Sequence, residues 1–149
     1  MLVSQKCQYG LRAVFELAKH FGGRPVKIGD IAQAQAIPPR FLEIILGQLK
    51  QAGFVESKRG ADGGYSLVRS PSEFSVGELI RFIEGPIGPV VCVADGSQGK
   101  CPLRGGCVFM PMWKKAQKAI TEVYDGTTLE NLVDEDRRMH EEYVPFYAI

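Results

Sequence analysis

No stretch of this 149-residue sequence approaches the roughly 18 to 20 consecutive apolar residues that a membrane span needs. The first twenty residues also mix charges among the apolar positions, so they lack the uninterrupted apolar core of a signal peptide. We therefore expect a cytoplasmic protein that makes no membrane contact. Thiols stay reduced in that compartment, which favours metal binding or redox chemistry over structural disulfides for any group of cysteines.

Histidine is also scarce, since the chain has only His20 and His140. Three of its four cysteines, Cys92, Cys101 and Cys107, fall within sixteen residues, far from either histidine in sequence. A catalytic cysteine needs a base beside it, so this pattern predicts that the protein is not an enzyme. Zinc prefers four cysteine or histidine ligands, which makes zinc the weaker alternative for a three-cysteine segment.

The net charge of +1 hides an asymmetry between the two halves of the chain. Residues 1–70 contain ten basic and five acidic residues, a net charge of +5, whereas the remainder has a net charge of −4. A basic N-terminal half is typical of a surface that meets a polyanion, although a solvated basic surface without a partner has the same composition.

Apolar periodicity predicts three short helices before Gly53. The third, from Pro39 to about Ala52, has a buried stripe and a polar, partly basic outer face. Two short alternating runs follow it, joined by a glycine-rich turn with cations near the tip, as in a β-hairpin. This order predicts a mainly α fold with a small β-hairpin wing, namely a winged helix-turn-helix. The buried stripe consists of Leu42, Ile45, Leu46 and Leu49.

A winged helix-turn-helix reads the DNA major groove with the start of its last helix, while the wing contacts phosphates or the minor groove. By position, Pro38, Arg40 and Glu43 are the candidates for contact with base edges. Glu43 suits hydrogen bonding to cytosine N4 or exclusion of other sequences by repulsion. The backbone contacts are predicted for Lys6 and for the wing residues Lys58, Arg59 and Gly60.

The rest of the chain contains further helices around the cysteine segment. We expect a helix from Ser75 to about Glu84, a long helix from Pro111 to about Tyr124, and a last helix capped by Thr127 and Glu130. The long helix has few partners within one subunit, so a role in dimerisation is favoured. The predicted division is a winged helix-turn-helix at 1–70, a linking helix at 71–90, a cysteine-containing sensor loop at 91–110, and the dimerisation helix with the C-terminal helix and tail at 111–149.

Several segments together resemble the Rrf2 family of bacterial transcription regulators. The matches are "YGLRAVFELA", "IPPRFLEIILGQLKQAGFVESKRGADGGYSL", "FSVGELIRFIEG" and "TLENLV", which cover residues 1 to about 135 in order. The wing "RGADGGYSL" is the most specific of them. The resemblance implies a homodimer with N-terminal winged helices, a long crossed dimerisation helix from each subunit, and a palindromic double-stranded DNA operator.

Family members with three cysteines in this loop typically bind an iron–sulfur cluster, as do the iron–sulfur biogenesis, nitric-oxide-sensing and rhizobial iron regulators. Members without them, such as the cysteine-metabolism repressor, work through a partner protein. The spacing here is C-x8-C-x5-C, whose second gap fits the cluster pattern and whose first gap is longer than in the best-known members. Thiolates are soft ligands that suit such clusters, so the resemblance and the chemistry agree on Cys92, Cys101 and Cys107 as ligands.

A fourth ligand is not evident from the sequence. The biogenesis regulators have a histidine soon after the third cysteine, where this chain has Val108, Phe109 and Met110. In the nitric-oxide sensors the ligand comes from the first helix of the partner subunit, at a position that matches Gln8. We therefore consider its neighbour Cys7, from the partner subunit, as the fourth ligand; the alternative is that Cys7 is a small buried residue.

These observations predict a DNA-binding transcription regulator, acting as a repressor, whose DNA affinity is controlled by a 2Fe–2S or 4Fe–4S cluster. It would respond to iron or cluster status, to redox state or to nitric oxide. The alternative is a cluster-free regulator of the same family, controlled by a protein partner or by thiol oxidation.

Overall fold

The computed structural model describes residues 2–97 and 100–142. Within them, the fold is mainly helical with one two-stranded hairpin, as the sequence predicts. One short 3-10 turn, Pro71–Glu73, precedes the fourth helix, and a second, Val91–Val93, lies within the cysteine loop. The elements are α1 (Gln5–Lys19), α2 (Ile28–Gln35), α3 (Pro39–Gln51), β1 (Val55–Lys58), β2 (Gly64–Leu67), α4 (Val76–Glu84), α5 (Met110–Gly126) and α6 (Leu129–Glu142).

Helix α1 is the centre of the N-terminal core. Ser4 caps it, since the Ser4 Oγ accepts a hydrogen bond from the Cys7 backbone N–H at 3.1 Å. Its buried face includes Ala13, Val14 and Leu17, which are almost fully buried. Phe21 lies beyond the helix end and is nearly half exposed, because α1 stops at Lys19.

Helix α3 packs against α1 and α2 through the four residues that the sequence predicts. The N-terminal end of α3 has Pro39 in its first turn, where the missing N–H costs no helical hydrogen bond. Strands β1 and β2 pair antiparallel, with Val55 opposite Leu67 and Lys58 opposite Gly64. Val55 and Leu67 anchor the hairpin in the core, so its turn projects outward. The buried residues of α3 are Leu42, Ile45, Leu46 and Leu49.

Helix α6 returns to the N-terminal half of the molecule. It packs against α1, and Leu129 and Val133 join the same buried cluster as the first three helices. The predicted cap of this helix is wrong by one residue. Thr128 and Asn131 cap it reciprocally, with hydrogen bonds of 3.1 Å and 2.9 Å between each backbone N–H and the other side chain. The four-part division of the chain stays a prediction. In the structure, Leu129 and Val133 of the last predicted segment belong to the core of the N-terminal half.

A second, smaller cluster joins α1 to α4. Cys7 is completely buried there, beside Val76, Ile80 and Ile87. Burial, and then the negative charge of Glu84, raise the pKa of the Cys7 thiol to about 11. Cys7 therefore stays protonated at neutral pH and behaves as an apolar core residue.

Helix α5 differs from the others because none of its residues is buried. It packs along α4, and its side chains are otherwise left at the surface. No helix in the described part of the chain is long and apolar enough to cross a membrane.

The buried thiol gives a prediction for the pH dependence of folding. The folded state holds the Cys7 proton up to about pH 11, whereas the unfolded thiol ionises near 8.5, so stability that is present below pH 8.5 is lost as the pH rises. We expect the stability advantage of the wild type over Cys7→Ala, about 1 kcal/mol at pH 7, to fall by about 2.5 kcal/mol by pH 10.5. Urea unfolding at both pH values under reducing conditions measures it.

The matched control is Cys101→Ala, because Cys101 lies at the surface. This variant should follow the wild type at both pH values. An equal response of the wild type and Cys7→Ala would show that the Cys7 thiol ionises freely in the folded protein.

Candidate DNA-binding surface and cysteine loop

The start of α3 carries the three predicted base-reading residues on one exposed surface. Pro38 precedes the helix, and Arg40 and Glu43 lie in its first two turns with their side chains in solvent. The buried stripe on the opposite side fixes the helix against the core, so this exposed face is available to enter a groove.

Two apolar residues share that exposed face, and the sequence pattern predicts no role for either of them. Phe41 and Ile44 are 56% and 59% exposed, although both are large hydrophobic side chains. Phe41 contacts the ring of Tyr9 on α1 at a centroid distance of 6.2 Å, and the Arg12 guanidinium lies 4.9 Å from the same ring. The signal was present in the sequence, because neither residue belongs to the periodic stripe that faces the core.

The wing presents its cations at the end of β1 and in the turn. Lys58, Arg59 and Gly60 are all exposed, as is Lys6 in the first turn of α1. Gly60 has a φ of +106°, a conformation that side chains other than glycine rarely adopt. At Gly63, a Cβ would collide with the Lys58 carbonyl oxygen. The tight turn that these glycines permit holds the two cations at the end of the hairpin.

The three loop cysteines line one cavity of about 470 Å³ between the loop and the start of α5. Cys92 lies in the 3-10 turn, while Cys101 and Cys107 lie in the irregular segment before α5. Each of the three has some solvent exposure. The other lining residues are Val90, Arg104, Gly105, Met110, Trp113 and Lys114.

The charges around this cavity favour an anionic occupant. Arg104 and Lys114 contribute to its wall, and none of its described lining residues is acidic. The described residues contain no ready-made group of three metal-ligating side chains, so the thiols share a cavity without being preassembled around a point.

Cys7 is placed differently from the three loop cysteines. It lies in the α1–α4 core rather than in the lining of the cavity. The adjacent Gln8 is exposed and donates a hydrogen bond to the Val3 carbonyl oxygen at 3.1 Å. The burial of Cys7 favours its role as a packing residue, and its role as a ligand from the partner subunit stays a prediction.

A polar network ties the cysteine loop to two helices. The Arg81 Nε donates to Asp95 Oδ2 at 2.7 Å, and its two terminal nitrogens donate to the Asp125 carboxylate at 2.5 Å and 2.9 Å. Gln117 Nε2 also donates to Asp95 Oδ1, at 3.1 Å. Hydrogen bonding to Arg81 lowers the pKa of Asp125, and the two carboxylates raise the pKa of Arg81. No local sequence pattern predicts this network, because its residues lie so far apart along the chain.

The family model, the similar sequences and the similar solved structures all belong to one group of transcriptional regulators. The Rrf2 family model, described as an iron-dependent transcriptional regulator, matches residues 3–135. The CymR regulator of Bacillus subtilis is 38% identical over 147 residues, which is 99% of both chains. Its solved structure, described as that of the global cysteine regulator, aligns with a TM-score of 0.75 and 36% identity, over 91% of this chain and 98% of that one.

Two further solved structures align over most of the chain. IscR of T. potens aligns with a TM-score of 0.72 and 36% identity, covering 91% of this chain and 88% of that one. An oxidized form of Staphylococcus aureus CymR aligns with a TM-score of 0.68 and 32% identity, covering 89% and 96%. All of these named relatives are transcriptional regulators rather than enzymes, in agreement with the sequence analysis. The chain therefore belongs to the Rrf2 family of helix-turn-helix transcriptional regulators.

Proposed function

We propose that this regulator is a cytoplasmic, homodimeric repressor whose affinity for a palindromic operator is set by an iron–sulfur cluster on Cys92, Cys101 and Cys107. The observation that carries the proposal is the shared cavity, which the three thiols line at the start of α5. When bound, the cluster would supply a centre that reacts to iron supply, redox state or nitric oxide.

The chemistry of the cavity fits such a group. Three soft thiolate donors are present, and Arg104 and Lys114 offset the negative charge that thiolates and sulfides bring. Gly105, with a φ of +99°, lets the backbone turn between Cys101 and Cys107. Zinc is the weaker alternative, because the described lining contains no fourth cysteine and no histidine.

The fourth ligand is proposed to come from outside the loop. For Cys7 of the partner subunit to serve, α1 would have to release a fully buried thiol and that thiol would have to lose a strongly held proton. Both steps cost free energy, so an exogenous or solvent ligand fits the structure better than Cys7 does. The nuclearity of the cluster, 2Fe–2S or 4Fe–4S, depends on this ligand.

Dimerisation is supported by the apolar residues that one subunit leaves exposed around the cavity. Val108, Phe109 and Met112 are all at least half exposed at the start of α5, and Val123 is exposed further along the same helix. A helix of 17 residues, none of them fully buried, leaves one face uncovered within one subunit. A second copy lying along α5 would bury these side chains and would set the spacing of two recognition helices.

A second candidate function follows from the similarity to CymR over nearly the full length of both chains. One CymR structure is described as an oxidized form, which draws attention to thiol chemistry in the family. In this alternative, oxidation of the exposed loop thiols or a protein partner controls DNA binding, and no cluster forms.

Iron and sulfide analysis separates the two candidates. Protein purified without oxygen should contain iron and sulfide in comparable amounts and absorb visible light as iron–sulfur proteins do. The Cys101→Ala variant should lose most of both, because it lacks one of three loop donors. The matched control Cys7→Ala should keep them, and loss of iron in that variant would instead assign Cys7 as a ligand. A colourless wild type with no iron would overturn the cluster and favour the second candidate.

The wing assignment predicts a change in salt dependence. The Arg59→Ala variant should bind operator DNA more weakly, and the slope of log affinity against log salt concentration should fall in magnitude by about 1. Fluorescence anisotropy at several salt concentrations measures the slope. Arg137→Ala removes an exposed arginine on α6, remote from the wing in sequence, and is the control for net charge. An unchanged slope in Arg59→Ala would show that Arg59 does not contact a phosphate.

The exposed apolar face of α3 predicts that the protein reads a thymine methyl group. Replacing the contacted thymine by deoxyuridine removes only that methyl, so binding should weaken roughly fourfold. The Ile44→Ala variant should bind the two operators equally. Gln51→Ala, at the far end of α3, should retain the difference. If Ile44→Ala still discriminates against deoxyuridine at every thymine position of a selected operator, Ile44 does not read the methyl.

A further inference from the structure

Arg81 is the side chain through which three separate segments meet. It projects from α4 and bonds both Asp95, in the cysteine loop, and Asp125, near the end of α5. Asp95 and Asp125 lie 14 and 44 positions after Arg81 in the sequence, so the tertiary fold brings these side chains together.

Asp95 is the point at which the loop is held. Its carboxylate accepts hydrogen bonds from Arg81, from Gln117 of α5 and, at 3.3 Å, from the backbone N–H of Ile87. The Asp95 N–H donates in return to the Ile87 carbonyl oxygen at 3.3 Å. The segment between Ile87 and Asp95 is thereby closed into a short ring that contains Cys92. A change in the position of Cys92 therefore acts directly on Asp95.

The helix that carries Arg81 is in close contact with the DNA-reading half. Helix α4 packs on α1, and a Cβ at Gly10 would lie only 2.6 Å from the Cδ1 of Ile83. Helix α1 packs in turn against the recognition helix α3. Close-packed helices move together rather than deform, so a shift of α4 is passed to α1.

The exposure of the network suits a connection that opens and closes. The side chains of Arg81 and Asp95 are each about one-third exposed, at 33% and 32%. Water can replace partly exposed hydrogen bonds when the partners separate, so opening does not leave a buried charge without a partner. Asp125 is also partly exposed, and it can keep Arg81 on α5 while Asp95 leaves.

We propose that Arg81 and Asp95 are the positioning residues that pass the chemical state of the loop cysteines to α4, and from α4 to the recognition helix. This inference rests on the proposed function in taking the cysteine loop as the sensor, but it does not depend on which chemistry occurs there. Asp95 bound to Arg81 holds one arrangement of α4 and α5; displacement of the loop releases Asp95 and leaves Arg81 paired with Asp125 alone.

Hydrogen exchange tests the connection without a cluster. Iodoacetamide alkylates the accessible loop thiols of the cluster-free protein, while the buried Cys7 is protected in the native state. In the wild type, alkylation should raise exchange severalfold both in residues 87–97 and in α4. In Asp95→Asn, residues 87–97 should still respond and α4 should not. A merely structural role would raise the exchange of α4 before alkylation and leave its response intact.

The control variant is Glu135→Gln, which removes a carboxylate paired with Arg138 on α6 and should respond as the wild type does. The inference is overturned if α4 responds equally in Asp95→Asn and the wild type, or if α4 is unresponsive in the wild type.

DNA binding gives a second readout. Alkylation of the wild type should change operator affinity by at least about fivefold, the usual lower range of coupling between sites. The change should shrink to less than twofold in Asp95→Asn and in Arg81→Ala, and Arg81→Lys should recover part of it. If the wild-type protein contains no iron, the proposed cluster is refuted, but the alkylation experiments still test the role of Arg81 and Asp95. Equal changes in the wild type and both variants would refute the role of Arg81 and Asp95, whatever the cluster does.

Discussion

The close packing of α1 against α4 is the constraint on which the other functional parts depend. At Gly10 the Ile83 side chain of α4 lies directly against the backbone of α1, in space that a Cβ would take, and Cys7 fills the adjacent core. The same α1 supports the recognition helix on another side and α6 on a third. The DNA-reading surface and the cysteine loop are consequently connected through one well-packed helix rather than through a flexible linker.

Local patterns predicted the parts of this fold that local forces determine. The buried stripe of α3 follows from helical periodicity, which acts within a few residues. The cap of α6 was misplaced because Thr127 and Thr128 are chemically alike, and only the tertiary position of Leu129 distinguishes them. The Arg81 network was beyond reach, since it joins positions up to 44 residues apart.

Burial divides the four cysteines into two chemical classes that the sequence alone could not separate. Cys7 is protonated in an apolar core, whereas Cys92, Cys101 and Cys107 line a cavity with cationic side chains in its wall. The thiols that a metal or a reagent can reach are therefore those of the loop. The spacing in sequence groups the three loop cysteines, and the structure places all three in the lining of one cavity. Proximity in sequence could not show that Cys7 packs against α4.

The relative strengths of the contacts explain how the loop could change without unfolding the protein. Each buried apolar side chain in the α1–α4 core, such as Ile80, contributes about 1.5–3 kcal/mol. A partly exposed ion pair such as that between Arg81 and Asp95 contributes about 1 kcal/mol or less. A chemical event at the cysteines can therefore outweigh the ion pair while the apolar core holds α4 on α1. Because that core stays intact, the change reaches the recognition helix as a displacement of packed helices.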